Sequence, residues 1–391
     1  MAKTILKWLG ILLLILLALV AIYAAMHPRA MRNMVRVGGA GVAEVDVFQP
    51  AQVVRGCTGA PFERAPDGTL PAASFAAMKR YSDALGGRAL LVLVDGKIAA
   101  EAYAPGTGPG TRMQSYSMHK SMVGILTGAA IADGLIGSVD DPVGTYISEW
   151  KRDPRGTMTI RQLLTQSSGI HNPSMATMEG AAVEIMLGEV TRNTLALPRD
   201  SGPGTFNYSN ANFQLAGTAI ARATKRRGGY AAYLSGRIWC PLGNADALLW
   251  LEHAGGEPRY FAYLNATVRD WARVGELLRR RGDWNGRQLV PAEWVDSITA
   301  PSPGNPNYGM GIWRGSPWLK ARRYSREVSL MVPQNEAFLA DDVVYFDGFG
   351  GQRVYVVPSA GLVIARAGEP DTAWEESALV NAALRGLRAK Q

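Results

Sequence analysis

Residues 113–134, MQSYSMHKSMVGILTGAAIADG, set a serine three residues before a lysine at the mouth of a long apolar run. After Ser117 the run is apolar on nearly every face until Asp133-Gly134, where a glycine can end a helix in the left-handed conformation. A helix that is hydrophobic all round belongs in the centre of a large protein, so Ser117 and Lys120 open a buried helix. Positions i and i+3 share one face about a turn apart, which lets the Ser117 hydroxyl meet the Lys120 amine. Burial disfavours the ammonium, and a neutral amine can then accept the serine proton. The free N–H groups and positive potential of the helix start lie where an oxyanion would form. The string S-x-x-K alone decides nothing, because Ser148–Lys151 (SEWK) matches it too. That second match follows the polar VDDPVGTYI and opens no apolar helix, so Ser148 is read as non-catalytic.

Outward from this helix, both flanks carry strands. ALLVLVDGKIAAEAY (89–103) is two β-rich runs around Asp95-Gly96, a dipeptide suited to a tight hairpin turn. QRVYVVPSAGLVIARAG (352–368) repeats that grammar around Pro358–Gly361, and TAWEESALVNAALRGLRAKQ (372–391) follows with helical spacing. Between them lie helical or turn-rich pieces: TIRQLLTQSSG, NANFQLAGTAIARATK, VRDWARVGELLRRRG and the turn DWNGRQ. Strands at both ends with helices between predict an α+β domain, one sheet built from distant segments with a helical lobe looped out at roughly 135–260.

Two further polar constellations stand out. In PGTFNYSNANFQLAG (203–217), Tyr208 and Asn210 sit on a turn leading into a helix. The tyrosine can relay protons between nucleophile and leaving group, and Asn210 can orient the lysine or a substrate carbonyl. Tyr263–Asn265 (YLN) has the same letters, so the motif is as cheap as S-x-x-K. In FDGFGGQRVYVVP (346–358), glycines before a strand permit close approach of a ligand, and an N–H there can complete an oxyanion hole with that of Ser117. The candidates in this stretch are Gly348, Phe349, Gly350 and Gln352.

In that order and spacing, the three stretches resemble the serine β-lactamase and penicillin-binding-protein superfamily. The similarity is greatest to its class C-like branch, which includes esterases and 6-aminohexanoate-dimer hydrolases. It spans roughly residues 75–385 and takes in VDDPVGTYISEW, TIRQLLTQSSGI, VRDWARVGELLRRRGDWNGRQLVP and YGMGIW. The resemblance implies an antiparallel sheet flanked by helices, a mostly helical second lobe and a cleft between them. It makes Ser117 the acylated nucleophile, Lys120 its partner in proton transfer, and Tyr208 and Asn210 the ends of a Tyr-x-Asn element. The third motif departs from the pattern: Phe346-Asp347-Gly348 keeps the glycine and lacks the basic residue that helps bind the carboxylate of penicillins and peptidyl-D-alanine. Amides or esters of small molecules are therefore expected as substrates in preference to those two. The expectation is a serine hydrolase, with a catalytically silent binding module for cell-wall peptide or a protein partner as the alternative.

The chain has 391 residues, 47% of them hydrophobic, enough for a substantial core. Its formal charge of +8 is concentrated at the start, where Lys3, Lys7, Arg29, Arg32 and Arg36 precede any acidic residue. The remaining basic runs, 225–227 and 279–281, lack interleaved aromatics and read as solvated helix faces, so no nucleic-acid partner is expected. From Trp8 to Met26 the sequence is apolar without interruption, long enough to cross a bilayer. Ile22, Tyr23 and Met26 spoil each small-x-small cleavage frame, which favours an uncleaved anchor over a removed signal. The expected organisation is a stub (1–7), an anchor (8–26), a stalk or wrap-around segment without clear period (27–70) and a hydrolase domain (71–391). The body is placed on the extracytoplasmic face of a bacterial inner membrane. Cys57 and Cys240 allow one disulfide in an oxidising compartment. Neither they nor the scattered His27, His119, His171 and His253 have metal-ligand spacing, so no metal or other cofactor is expected.

Overall fold

The alternating apolar residues of the two expected strand pairs fold as one sheet. The computed structural model describes residues 2–26, 28–57, 59–173, 189–325 and 331–389. Part of the expected helical lobe (174–188), and residues 1, 27, 58, 326–330 and 390–391 at or beside other expected segments, lie outside them. The helices that matter below are α1 (Ala2–Met26), α2 (Pro28–Val37), α3 (Ala72–Ala84), α4 (Met118–Ala132), α5 (Ile160–Leu164), α6 (Asn210–Ala223), α7 (Val268–Arg279), α8 (Ala292–Thr299) and α9 (Ala378–Arg388). The strands are β1 (Ala51–Val54), β2 (Gly87–Val94), β3 (Lys97–Tyr103), β4 (Arg112–Met113), β5 (Ala247–Trp250), β6 (Leu264–Thr267), β7 (Asp283–Trp284), β8 (Arg287–Gln288), β9 (Trp313–Arg314), β10 (Ala321–Arg323), β11 (Met331–Pro333), β12 (Val344–Gly348), β13 (Gln352–Val357) and β14 (Leu362–Gly368).

The main sheet runs β3-β2-β14-β13-β12-β9, antiparallel at every step. β2 and β3 turn on Asp95 (φ 49°) and Gly96 (φ 78°), both left-handed as the tight hairpin requires. β14 pairs with β2, Ile364 opposite Val92, so the early and late strands share one sheet and the middle of the chain is looped out. Side chains alternate between its faces with a period of two. Leu91, Leu93, Val354 and Val356 join the core that contains α4 and α7, while Leu90, Val92, Tyr355 and Val357 join the one that contains α3 and α9.

Helix α4 lies in the first of these cores with every residue from Met118 to Ala130 buried. Close approach of its neighbours depends on glycines. A Cβ on Gly128 would stand 2.0 Å from the Trp294 ring of α8, and one on Gly124 would stand 2.3 Å from the Met310 carbonyl oxygen. The Trp294 indole N–H also donates to the Gly124 carbonyl at 3.0 Å.

Among its described residues, segment 27–70, which offers no readable period, carries α2, a 3-10 turn (Val45–Val47) and strand β1. β1 pairs with β5 in a second sheet of order β1-β5-β6-β4. At four residues it is too short for alternation to stand out from its surroundings. Phe48, just before it, packs its ring against Trp250 (4.9 Å) and Tyr263 (5.2 Å). Cys57 is bonded to Cys240, with Cα atoms 4.7 Å apart. The stretch is therefore built into the body over much of its length. Ahead of it, the 23 residues Thr4–Met26 of α1 are apolar but for Thr4 and Lys7 and mostly exposed, about 35 Å of helix at 1.5 Å per residue.

Candidate active site

Ser117 caps the N-terminus of α4 and is only partly covered, whereas Lys120, one turn on, is 2% exposed. The residue before the serine, Tyr116, holds a left-handed backbone (φ 44°) that a side chain tolerates only when its surroundings enforce it. Those surroundings are visible: the Tyr116 carbonyl accepts from the Tyr263 N–H (3.3 Å) and from the Ser115 hydroxyl (3.2 Å). Lys120 Nζ lies 2.9 Å from Ser117 Oγ, 2.6 Å from Asn210 Oδ1 and 3.0 Å from the Phe261 carbonyl oxygen. The last two can only accept, so each engages an amine hydrogen, and the serine oxygen lies within hydrogen-bond reach of the same nitrogen. The spacing expected of S-x-x-K is thus realised as a contact.

Asn210 is delivered by the start of α6. Ser209, extended at φ −138°, ψ 142°, caps that helix with its hydroxyl accepting from the Ala211 N–H at 3.1 Å. Tyr208 precedes this cap. Its ring stands among Trp313 (5.7 Å), Tyr324 (5.4 Å) and Tyr308 (6.1 Å), and Lys120 Nζ is 4.8 Å from its centroid. Burial, then the nearby Tyr308 and the Asp347 carboxylate, push the Tyr208 phenol well above its ordinary range, and a hydrogen bond with Ser117 acts the other way. The phenol is therefore held protonated. Ser117, Lys120, Tyr208 and Asn210, read from separate stretches, meet at one place.

The third stretch is divided. Gly348 lies under the segment leading to the serine: a Cβ there would come within 2.5 Å of the Ser115 carbonyl oxygen. Phe349 is 42% exposed, with its ring 6.1 Å from that of Tyr116. Gly350 and Gln352 face elsewhere. Gly350 packs against Pro370 and Asp371. Gln352 is fully buried and spends both ends of its carboxamide on Gly368, donating to its carbonyl and accepting from its N–H, each at 2.8 Å. The Gln352 side chain thus braces the end of β14, where the pairing with β2 shifts register between Ala367 and Gly368.

Asp347 occupies the place expected for a basic residue, and the structure surrounds it with cations. Arg353 Nη1 is 2.5 Å and Arg322 Nη2 is 3.0 Å from its carboxylate, and both arginines also pair with Glu376 (2.7 and 2.9 Å). All four side chains are buried, and their formal charges cancel. Arg322 additionally stacks on Trp313, 3.9 Å from its centroid, and that ring in turn touches Tyr208.

The competing motifs fall apart spatially. Ser148 is exposed on a short 3-10 turn and donates to Glu149. Tyr263 and Asn265 belong to the backing of Ser115–Tyr116: Asn265 Oδ1 accepts from the Ser115 N–H at 3.4 Å. Beside Lys120, His119 is fully buried between the Ala262 carbonyl (3.1 Å) and the Tyr230 hydroxyl (2.9 Å), and burial lowers its pKa to about 4. It is a neutral structural group. Three contributors were not legible in the sequence. The Phe261 carbonyl is a backbone atom, which no side-chain motif announces. Gln166 and Asn172, in and just after TIRQLLTQSSGI, bond to the Tyr208 loop across more than 35 residues of chain.

Comparison with known proteins bears on the family and the fold. A family model described as Beta-lactamase matches residues 75–368. A 6-aminohexanoate-dimer hydrolase of Paenarthrobacter ureafaciens is 28% identical over 230 residues, 54% of this chain and 57% of that protein, so the match spans little more than half of the relative's length. Among solved structures, one provisionally assigned as a 6-aminohexanoate-dimer hydrolase from Bacillus anthracis superimposes with a TM-score of 0.68 at 20% identity, covering 89% of this chain and 92% of that one. A D-stereospecific amidohydrolase from Streptomyces sp. gives 0.56 at 21% identity, covering 80% and 98%. At these identities the superpositions show a common fold.

Proposed function

The chain belongs to the Beta-lactamase family, and on that footing we propose that it is a membrane-anchored serine hydrolase that cleaves an amide or ester through an acyl-Ser117 intermediate. The observation that carries this reading is Lys120: a buried amine held by the acceptors Asn210 Oδ1 and Phe261 O with the Ser117 hydroxyl at 2.9 Å.

In this reading Lys120 is the general base. As Ser117 Oγ bonds to the substrate carbonyl carbon, its proton moves to Nζ and the carbonyl oxygen becomes an oxyanion. The Ser117 N–H at the start of α4 and the backbone around Gly348–Phe349 are assigned to that oxyanion. Tyr208, kept protonated by burial and by Asp347, gives its proton to the departing amine or alkoxide as the carbon–leaving-group bond breaks, and recovers one from the Lys120 ammonium. Water then repeats the sequence on the acyl ester. Phe349 and Tyr116 offer aromatic surface beside the serine, and Asp347 with its arginines offers no free cation for a substrate carboxylate. Small uncharged amides or esters suit this site better than penicillins. The exposed apolar α1 supports anchoring, with the body beyond the membrane, where the Cys57–Cys240 bond is chemically at home.

The test is intact-mass analysis after a phosphonylating inhibitor. One adduct is expected on the folded protein and none on Ser117→Ala. A folded protein that takes no adduct, or a Ser117→Ala variant that still takes one, overturns the assignment. Release from p-nitrophenyl esters no faster than that of Ser117→Ala favours the silent binding module instead.

A further inference from the structure

Tyr208 has an unusual support. The residues on either side of it in the chain both hydrogen-bond to Gln166: the Asn207 N–H donates to the Gln166 carbonyl at 2.8 Å, and the Ser209 N–H donates to Gln166 Oε1 at 2.9 Å. Oε1 also accepts from Asn212 Nδ2 (2.8 Å) on the first turn of α6. Two donors on one oxygen, one of them a backbone N–H that can only donate, fix which end of the carboxamide faces the loop. Gln166 itself is fully buried and holds a left-handed backbone, φ 58°. That conformation is costly for a residue with a side chain and persists where the surroundings over-determine it. The peptide on the far side of Tyr208 is held from the same stretch of chain, where Asn172 Nδ2 donates to the Tyr208 carbonyl at 3.0 Å.

We propose that Gln166 is a positioning residue for the acid step, fixing the Tyr208 hydroxyl, through the backbone on both sides of it, where it can protonate the leaving group. This inference rests on the serine-hydrolase reading above and adds to it a residue with no contact to Ser117 or Lys120 among its hydrogen bonds. A loop residue set by two backbone bonds cannot shift along its own chain without breaking one of them. Loss of the acceptor oxygen lets the phenol drift, and a displacement of about 1 Å is enough to cost on the order of a hundredfold in a proton-transfer step.

The experiment exploits the leaving group. p-Nitrophenolate departs without a proton, whereas ethoxide requires one, so a fault confined to the acid step slows an ethyl ester far more than the p-nitrophenyl ester of the same acid. Gln166→Met removes the acceptor at nearly constant volume, and Gln166→Glu keeps an oxygen there. We expect Gln166→Met to lower kcat/KM, which reports acylation and not the deacylation both esters share, by about thirtyfold or more on the ethyl ester and by less than about threefold on the p-nitrophenyl ester, and Gln166→Glu to recover most of the difference. In a Tyr208→Phe background the extra loss from Gln166→Met should shrink to less than half on a logarithmic scale. Equal losses on the two esters, or an ethyl-ester loss that keeps half or more of its logarithmic size without the phenol, overturn the proposal. If Gln166→Met does not fold, Gln166→Asn, which draws the oxygen back by one methylene, takes its place under the same criteria. Ser117→Ala separates the two levels: ester turnover that survives it removes the hydrolase reading itself, whereas Ser117-dependent turnover with equal losses removes only the role of Gln166.

Discussion

His119 shows how a single side chain can sit beside the chemistry without taking part in it. It adjoins Lys120 in sequence, yet both ring nitrogens are committed to Ala262 and Tyr230, and burial depresses its pKa to about 4 from 6.5. The unfolded chain binds a proton at this position below about pH 6.5 and the folded chain does not until about pH 4. The contribution is therefore complete above pH 6.5 and lost as pH falls toward 4, a loss of about 3 kcal/mol for a shift of this size. Urea unfolding at pH 7.5 and 4.5 measures it: the wild type should lose more stability between the two than His119→Asn, and equal losses would refute the assignment. Legibility at this scale was uneven. Ser117, Lys120 and Asn210 were readable because helical spacing and a cap fix where such side chains point. The engagement of the Gln352 side chain with Gly368 was not legible, because a glycine-rich turn before a strand does not reveal which distant backbone the next polar side chain meets.

At the scale of elements, α4, the hairpins and α9 lie where periodicity puts them, since long runs average over tertiary exceptions. β1 and α2 did not emerge, because four strand residues and ten helical ones set among prolines and glycines carry too little pattern. The charge network behind β12 and β13 was equally hidden: it joins Arg322 of β10, Asp347 of β12, Arg353 of β13 and Glu376 before α9, each unremarkable in its own stretch. Its energetics follow from burial. Removing one member leaves a desolvated charge uncompensated, so Asp347→Asn is expected to destabilise the protein by about 3–5 kcal/mol, read as a lower urea midpoint with an unchanged slope. A change below about 1 kcal/mol would mean the arginines find other partners. Glu376, where the burial penalty is outweighed by Arg353 and Arg322, is lowered to about 2 from 4.5. Its contribution is therefore present above pH 4.5 and lost as the pH falls toward 2.

For the whole molecule, the α+β architecture was legible from strands at both ends of the body and helices between, but the manner in which the N-terminal segment is secured was not. The Cys57–Cys240 bond closes a loop of 183 residues. In the chain-entropy picture a loop of that length contributes roughly 5 kcal/mol by restricting the unfolded chain. A Cys57→Ser, Cys240→Ser double variant should accordingly unfold at lower urea than the oxidised parent and match the parent in reductant; identical midpoints with and without reductant would show that the bond bears no load. Helix α4 also governs the molecule as a whole. Its glycines at 124 and 128 receive the Met310 carbonyl and the Trp294 indole, and in an α-helix consecutive residues point about 100° apart. Twisting the rod by one position would present Val123 or Thr127 to those neighbours and jam against them, so the helix is keyed like a shaft in a slot. The bearing of the serine at its tip is thus indexed from about two and three turns further down, and a methyl group added at residue 128 should misalign a nucleophile it never approaches.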